Sequence, residues 1–243
     1  MARKKRTKGN ITAPSLPGKD MLAEVNNNEA GNIYNSLFAK NRKVEYDNKD
    51  IALVNIRTNP DNQIFRAMDD DEDIRILAED IKRNGLMHNL VVFPEQEEGS
   101  AVYVLLSGER RFRALNYLQE KGDATWNIVN CNVVTTPLTE NEKKVLLYSA
   151  NLQVRGGFSD EAIRRQAIAE FITCLQREPY NMSREEALNA TKIVSTVNPR
   201  TIERDARIEE KLKGKLKTLL NDKFLTRSEC ETYLRFEADK QDE

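Results

Sequence analysis

Histidine occurs once in the 243 residues, at His88, and cysteine three times, at Cys131, Cys174 and Cys230. A lone histidine leaves no material for a multi-histidine metal site and argues against a histidine-based catalytic triad. The cysteines are far apart and odd in number, with neither metal-ligand spacing nor a disulfide framework, which suits a reducing cytoplasm. Long apolar runs are also missing. None approaches bilayer length, and nothing after the basic start resembles a signal-peptide core, so no membrane partner is expected. Net charge, at −1, says nothing by itself about partners. What is present is charge of both signs. Charged residues make up 32% and hydrophobic residues 39%, the balance of a soluble, helix-rich chain of one or two domains with a real core.

The distribution of charge is more telling than its sum. The first nine residues, "MARKKRTKG", carry only positive charge. Residues 1–48 are polar, with Pro14, Pro17 and "NNNEAGN", and are expected to form a mostly disordered basic arm in which Met21 to Phe38 turns helical against a partner. From Ile51 the pattern becomes mixed. "IALVNI" reads as a strand. Ile74, Leu77, Ala78 and Ile81 mark an amphipathic helix stopped by Gly85. "LVVF" and "AVYVLL" read as strands around the turn "PEQEEGS", and "WNIVNCNVV" alternates like another. From Thr139 onward the chain reads as helical. Capping boxes pair Thr139 with Glu142, Ser183 with Glu186 and Thr226 with Glu229. A further helix is expected from Ser159, with Ile163, Ala167, Phe171 and Leu175 inward. The expected division is an arm (1–48), an α/β domain (49–155), an all-helical domain (156–238) joined near "RGGF", and a tail (239–243).

One junction stands out. In "LLSGERRFRAL", residues 105–115, a strand runs through Gly108 into a helix whose inner face is Phe112, Leu115 and Leu118. Arg110 and Arg111 fall in the first turn, where cations oppose the helix dipole. A bound anion would make that placement useful; internal ion pairs on an exposed helix are the other reading.

The helical half has its own pattern. Ala187, Ala190, Thr191 and Val194 make one compact face before the connector "STVN". Asn198 is placed to cap the next helix and Pro199 suits its first position. There Arg200, Arg204, Arg207 and Lys211 fall at i, i+4, i+7 and i+11, one basic stripe, while Ile202, Ala206, Ile208 and Leu212 are free to pack. A helix, a tight turn and a helix with a basic stripe is the helix-turn-helix pattern of DNA binding. A solvated face of mixed charge, flanked by Glu203 and Asp205, is the alternative.

These features together resemble the ParB family of chromosome and plasmid partition proteins, from about Ile51 to Leu234. "GERRFRA", residues 108–114, matches the family's GERRxRA box at every fixed position. "NPDNQIFR" resembles its first box, with Arg66 in the arginine's place and Phe65 where proline is common. "IKRNGLMHNLVV" is similar to the family's helix, glycine and strand, with His88 and Asn89 where glutamine and proline are usual. "ANLQVR" resembles a third box. Asn151 matches there, Ala150 replaces the usual glutamate, and the arginine arrives one residue late, as Arg155. "LTRSECETYL" resembles the short helix that closes the family's DNA-binding domain.

The resemblance implies an α+β ParB/sulfiredoxin-like N-terminal domain followed by an all-α helix-turn-helix domain. It implies CTP with Mg²⁺, held by Arg66, Ser107, Gly108, Glu109, Arg110, Arg111, Asn151 and Arg155, with Glu109 and Asn151 toward the metal. Asn151 is otherwise an ordinary amide near a helix end, and His88 a packing residue before a strand. Double-stranded DNA at a centromere-like site would meet Lys192, Arg200, Thr201, Arg204, Arg207 and Lys211, with Arg200, Thr201 and Arg204 nearest the bases. It further implies a homodimer that closes as a clamp, a cytoplasmic, nucleoid- or plasmid-associated location, and a ParA-type ATPase engaged by the basic arm, which otherwise only solubilises. In the family a dimerisation domain usually follows the DNA-binding region; here "EADKQDE" ends the sequence. Hydrolysis of CTP is slow in the family, and Ala150 argues for weak or absent turnover. Two other classes stay open: a nucleotide-dependent enzyme on the same fold, such as a sulfiredoxin or a free-serine kinase, and a transcriptional regulator of a mobile element. No cysteine lies near the phosphate segment, which counts against sulfiredoxin chemistry.

Overall fold

Residues 44–66, 71–97, 100–154 and 160–236 are described in the computed structural model of the chain. Five strands form one mixed sheet in the order β1-β5-β3-β4-β2. They are β1 (Tyr46–Ala52), β2 (Ile56–Arg57), β3 (Leu90–Glu97), β4 (Ser100–Ser107) and β5 (Ile128–Val134). β1–β5 and β3–β4 are antiparallel, whereas β3–β5 and β2–β4 are parallel. Helices α1 (Asp71–Asn84) and α2 (Glu109–Glu120) cover one face, where Ile74, Ala78, Ile81, Phe112, Leu115 and Leu118 meet Leu90, Val92, Leu105 and Cys131. On the other face, Val104, Leu106, Phe93 and Val134 meet Leu147 of α3 (Glu140–Val154). β4 is therefore buried on both sides. That explains why "AVYVLL" shows no alternation of polar and apolar residues.

Two strand readings are corrected. "IALVNI" is not one strand. β1 ends at Ala52 opposite Ile128, a 3-10 turn (Leu53–Asn55) with buried Leu53 follows, and Ile56 then pairs with Tyr103 at the opposite sheet edge. The chain crosses the sheet there, and both segments are apolar because both meet core. "PEQE" belongs to β3 rather than to a turn, since Pro94 to Glu97 pair with Tyr103 to Ser100. β3 pairs with β5 only over Leu90 to Val92, so Pro94 needs no N–H on that side. β1 also begins at Tyr46, within the segment read as arm; residues 46–50 are exposed and carry no apolar alternation. Outside the described residues lie arm residues 1–43, the Met21–Phe38 helix, Arg155, the "RGGF" joint and the 239–243 tail.

The remaining helices are α4 (Glu161–Gln176), α5 (Arg184–Val194), α6 (Pro199–Lys211), α7 (Gly214–Asn221) and α8 (Arg227–Tyr233). All three capping boxes are present. The cap of α4 is Asp160 rather than Ser159: its carboxylate accepts from the N–H groups of Ala162 and Ile163. Ala167, Phe171 and Leu175 of α4 are fully buried with Ala187, Ala190, Val194, Ile202 and Ala206. The same core takes in Val145, Tyr148 and Leu152 of α3 and Phe65, whose ring stands edge-on to Tyr148 at 5.8 Å. α3 thus packs on the sheet with Leu147 and on the helices with its other side. Among the described residues no helix is long and apolar enough to cross a membrane.

Candidate functional site

The β4–α2 junction is built around backbone that only glycine adopts readily. Gly108 has φ +103°, and a Cβ there would lie 2.8 Å from Leu90 Cδ2 and 3.1 Å from Arg111 Nη2. No side chain caps α2 at this point. The first intrahelical bond runs from Phe112 N–H to Gly108 O at 2.8 Å, so by helix geometry the N–H groups of Glu109 to Arg111 point out of the helix end. Ser107 is the last residue of β4, opposite Val91. Backbone donors and close approach are what a phosphate requires.

The three arginines of the box part company. Arg113 pairs with Asp71 at 3.2 Å and Arg110 lies 3.9 Å from Asp73, both carboxylates in the first turn of α1. Both contacts run to another helix rather than within α2. Arg111 is different. Its Nη1 donates to the backbone carbonyls of His88 and, at 2.8 Å, of Asn89, fastening the start of β3 to α2. Burial lowers its pKa from the ordinary guanidinium value, and among the described residues no carboxylate pairs with it. Glu109 is buried at the base of the same turn. His88 itself is exposed, and its backbone, rather than its ring, does the work seen here.

The first and third boxes meet. Asn59 caps a 3-10 turn by accepting from Asp61 N–H, and Asn62 is buried. Asn151 of α3 donates to Asn62 Oδ1 at 3.3 Å and to Leu147 O at 3.0 Å, while Lys144 pairs with Asp61 at 3.1 Å. Asn62 was not singled out in the sequence, where only its place within the first box marks it. Arg66 ends the one-turn helix Gln63–Arg66 that follows. The third box also touches the helical half, because Leu152 O accepts from Thr196 N–H at 3.3 Å in the α5–α6 connector.

On α6, Asn198 caps by accepting from Arg200 N–H, and Pro199 occupies the first turn. Arg200 and Lys211 are exposed and Thr201 is half-buried. Arg200 and Lys211, with Arg184 and Leu188 of α5, border a cavity of about 640 Å³. Lys192 donates to Glu203 at 2.5 Å, which holds the Glu203 carboxyl below the usual carboxylate range. Arg204 and Arg207 both reach Glu231 of α8. Asp205 does not flank the stripe as a solvated charge. It is fully buried on the opposite side, 2.7 Å from Arg164 Nε of α4 and 3.6 Å from Arg227.

Residues 37–142 match the family model described as ParB N-terminal domain. Among solved structures, the chain is similar to the C-terminally truncated chromosome-partitioning protein ParB from Caulobacter crescentus, complexed with CTP-γ-S. Identity is 18%, the match covers 79% of this chain and 94% of that one, and the TM-score is 0.35. It is also similar to a Pnob8-like ParB-N domain, at 12% identity, covering 82% and 97% of the two chains, with a TM-score of 0.38. No curated protein matches the chain in sequence.

Proposed function

We propose that the chain, whose residues 37–142 match the ParB N-terminal domain, is a CTP-binding, DNA-binding partition protein of the ParB family. Arg111 is the observation that carries the nucleotide half. A guanidinium that is partly desolvated, backed by two carbonyls and paired with no carboxylate among the described residues needs an anion. It lies against Gly108 at the N-terminal end of α2, with exposed Arg110 beside it. A triphosphate satisfies all three with charge-assisted hydrogen bonds. The preference for CTP comes from the family. Among the described residues no three His, Cys, Asp or Glu side chains gather as a metal site. Mg²⁺, which would neutralise phosphate charge, would therefore be held largely by phosphate oxygens and water, with the Asn151 amide oxygen and Glu109 as the protein groups nearest in role.

The DNA half rests on α5, the four-residue connector and α6, read as a helix-turn-helix whose N-terminal end enters the major groove. α3 links the halves. Asn151 faces the first box while the next residue, Leu152, accepts from the connector, so nucleotide and DNA act on one helix. A homodimer closing on DNA as a clamp, with a ParA-type ATPase taken up by the basic arm, completes the reading. Fluorescent CTP titrated against ATP, GTP and UTP, with and without duplex DNA, tests it. Preference for ATP, or no nucleotide binding at all, would overturn the nucleotide assignment.

Ala150 supplies neither a carboxylate oxygen nor a general base, which favours a slow or inactive hydrolase over an efficient one. Phosphate release with DNA present is expected to be very slow, and Ala150→Glu to accelerate it. No change would mean that the third box is aligned differently or that hydrolysis uses other groups.

Substitutions on α6 are expected to divide by position. Lys211→Ala weakens binding to every duplex alike and lowers the salt slope by about one unit. Arg204→Ala relaxes discrimination between a preferred site and random DNA, at a cost of about 1–3 kcal/mol. Titration of both variants across a salt series checks this; unchanged affinity and slope in both would remove DNA reading from the stripe.

A further inference from the structure

Glu231 sits where a DNA-reading surface has no evident use for a negative charge. Arg204 donates Nη2 to its Oε2 at 3.1 Å and brings Nε to 2.9 Å of Oε1, and Arg207 donates Nη2 to the same Oε1 at 2.9 Å. Ser228, one turn earlier, accepts a further bond from Arg204 Nη2 at 3.2 Å. A single carboxylate thus engages two members of the basic stripe with the oxygens and spacing that a phosphate would offer them. Its position is fixed. α8 is capped at Thr226 and Glu229, and Cys230, next to Glu231, is fully buried with Ile208 of α6 and Leu212 just past its end. The side chain remains about a third exposed, at 35%, so it can be displaced.

We propose that Glu231 is an internal substitute for a DNA phosphate that occupies Arg204 and Arg207 until a fitting duplex displaces it, and so sets the ratio of specific to non-specific binding. Random DNA offers the two arginines only phosphates, a near-equal exchange for the carboxylate they already hold. A cognate site adds base contacts, which the carboxylate cannot imitate. The latch therefore suppresses non-specific affinity more than specific affinity. This rests on the DNA-binding reading of α6.

The test compares Glu231→Gln with Glu210→Gln, using a random-sequence duplex and a duplex the protein itself selects from a random pool. Glu210 is a carboxylate bordering the same cavity, paired with Arg184 rather than with the stripe, and controls for the general gain from removing one negative charge. Freeing one more cation for a phosphate multiplies affinity by roughly eight at 0.1 M salt and steepens the salt slope by about one unit. Glu231→Gln is expected to show that gain on random DNA, a smaller gain on the selected site, and hence a lower specificity ratio. Glu210→Gln should show less of each. Equal gains in the two variants would reduce Glu231 to bulk charge, and weaker binding by Glu231→Gln would make it an orienting residue; either result overturns the latch. Absence of duplex binding by the wild type at any salt would overturn the DNA reading itself, a separate failure.

Discussion

Asp205→Ala is expected to destabilise the helical half by about 3–5 kcal/mol, the loss seen when one partner of a buried ion pair is removed. Asp205 is completely buried, 2.7 Å from Arg164 Nε, itself only 11% exposed, and 3.6 Å from Arg227 Nη1. Without it, the Arg164 guanidinium stays between α4 and α6 with, among the described residues, only the more distant Glu161, at 3.7 Å, to balance it. The pair also orients α6, because Arg164 and Asp205 face each other across the same helix packing that buries Ile202 and Ala206. The loss should therefore appear in DNA binding as well as in melting. Glu203→Ala, two residues away on the solvent side, is the control, with an expected change within about 0.5 kcal/mol. Urea or thermal unfolding of the two variants checks the prediction, and equal midpoints would show that the buried pair does not hold α6.

Arg111→Ala is expected to weaken CTP binding by roughly ten- to hundred-fold, the loss of one charged donor to a buried phosphate. It should also lower stability by about 1 kcal/mol, because the carbonyls of His88 and Asn89 lose their donor while the exposed side of the site lets water replace part of it. Arg110→Ala separates the two effects. That side chain is 46% exposed, and exposed ion pairs contribute little to stability, so CTP affinity should fall with the melting temperature little changed. Fluorescent CTP titration beside a melting curve for each variant distinguishes binding from folding. A folded Arg111→Ala that binds CTP as tightly as the wild type would remove the triphosphate from this junction.

Much of the fold was legible because its signals are local. The α1 face at Ile74, Ala78 and Ile81, the stop at Gly85, the apolar run Ala101–Leu106 of β4 and the three capping boxes each involve residues within a few positions of one another. Gly108 was legible for the same reason: a strand-to-helix turn three residues before Arg111 demands backbone that only glycine adopts readily. Misreadings arose where distant partners decide. "IALVNI" is broken because its two ends pair with strands at opposite edges of the sheet, and Pro94 is tolerated because β5 has already left β3.

The sequence by itself determined which helices form, which of their faces are apolar, and that cations gather at the β4–α2 junction and along α6, since periodicity and caps act over one or two turns. Tertiary structure alone decided what each charge does. Arg113 and Arg110 turn to α1, Arg111 to two carbonyls, Asp205 to Arg164 forty-one positions away, and Arg204 to Glu231 across twenty-seven. A charged side chain on a helix reveals its face but not its partner. The partner is set by which other helix the apolar faces bring within about 4 Å, and that is fixed by packing over the whole core.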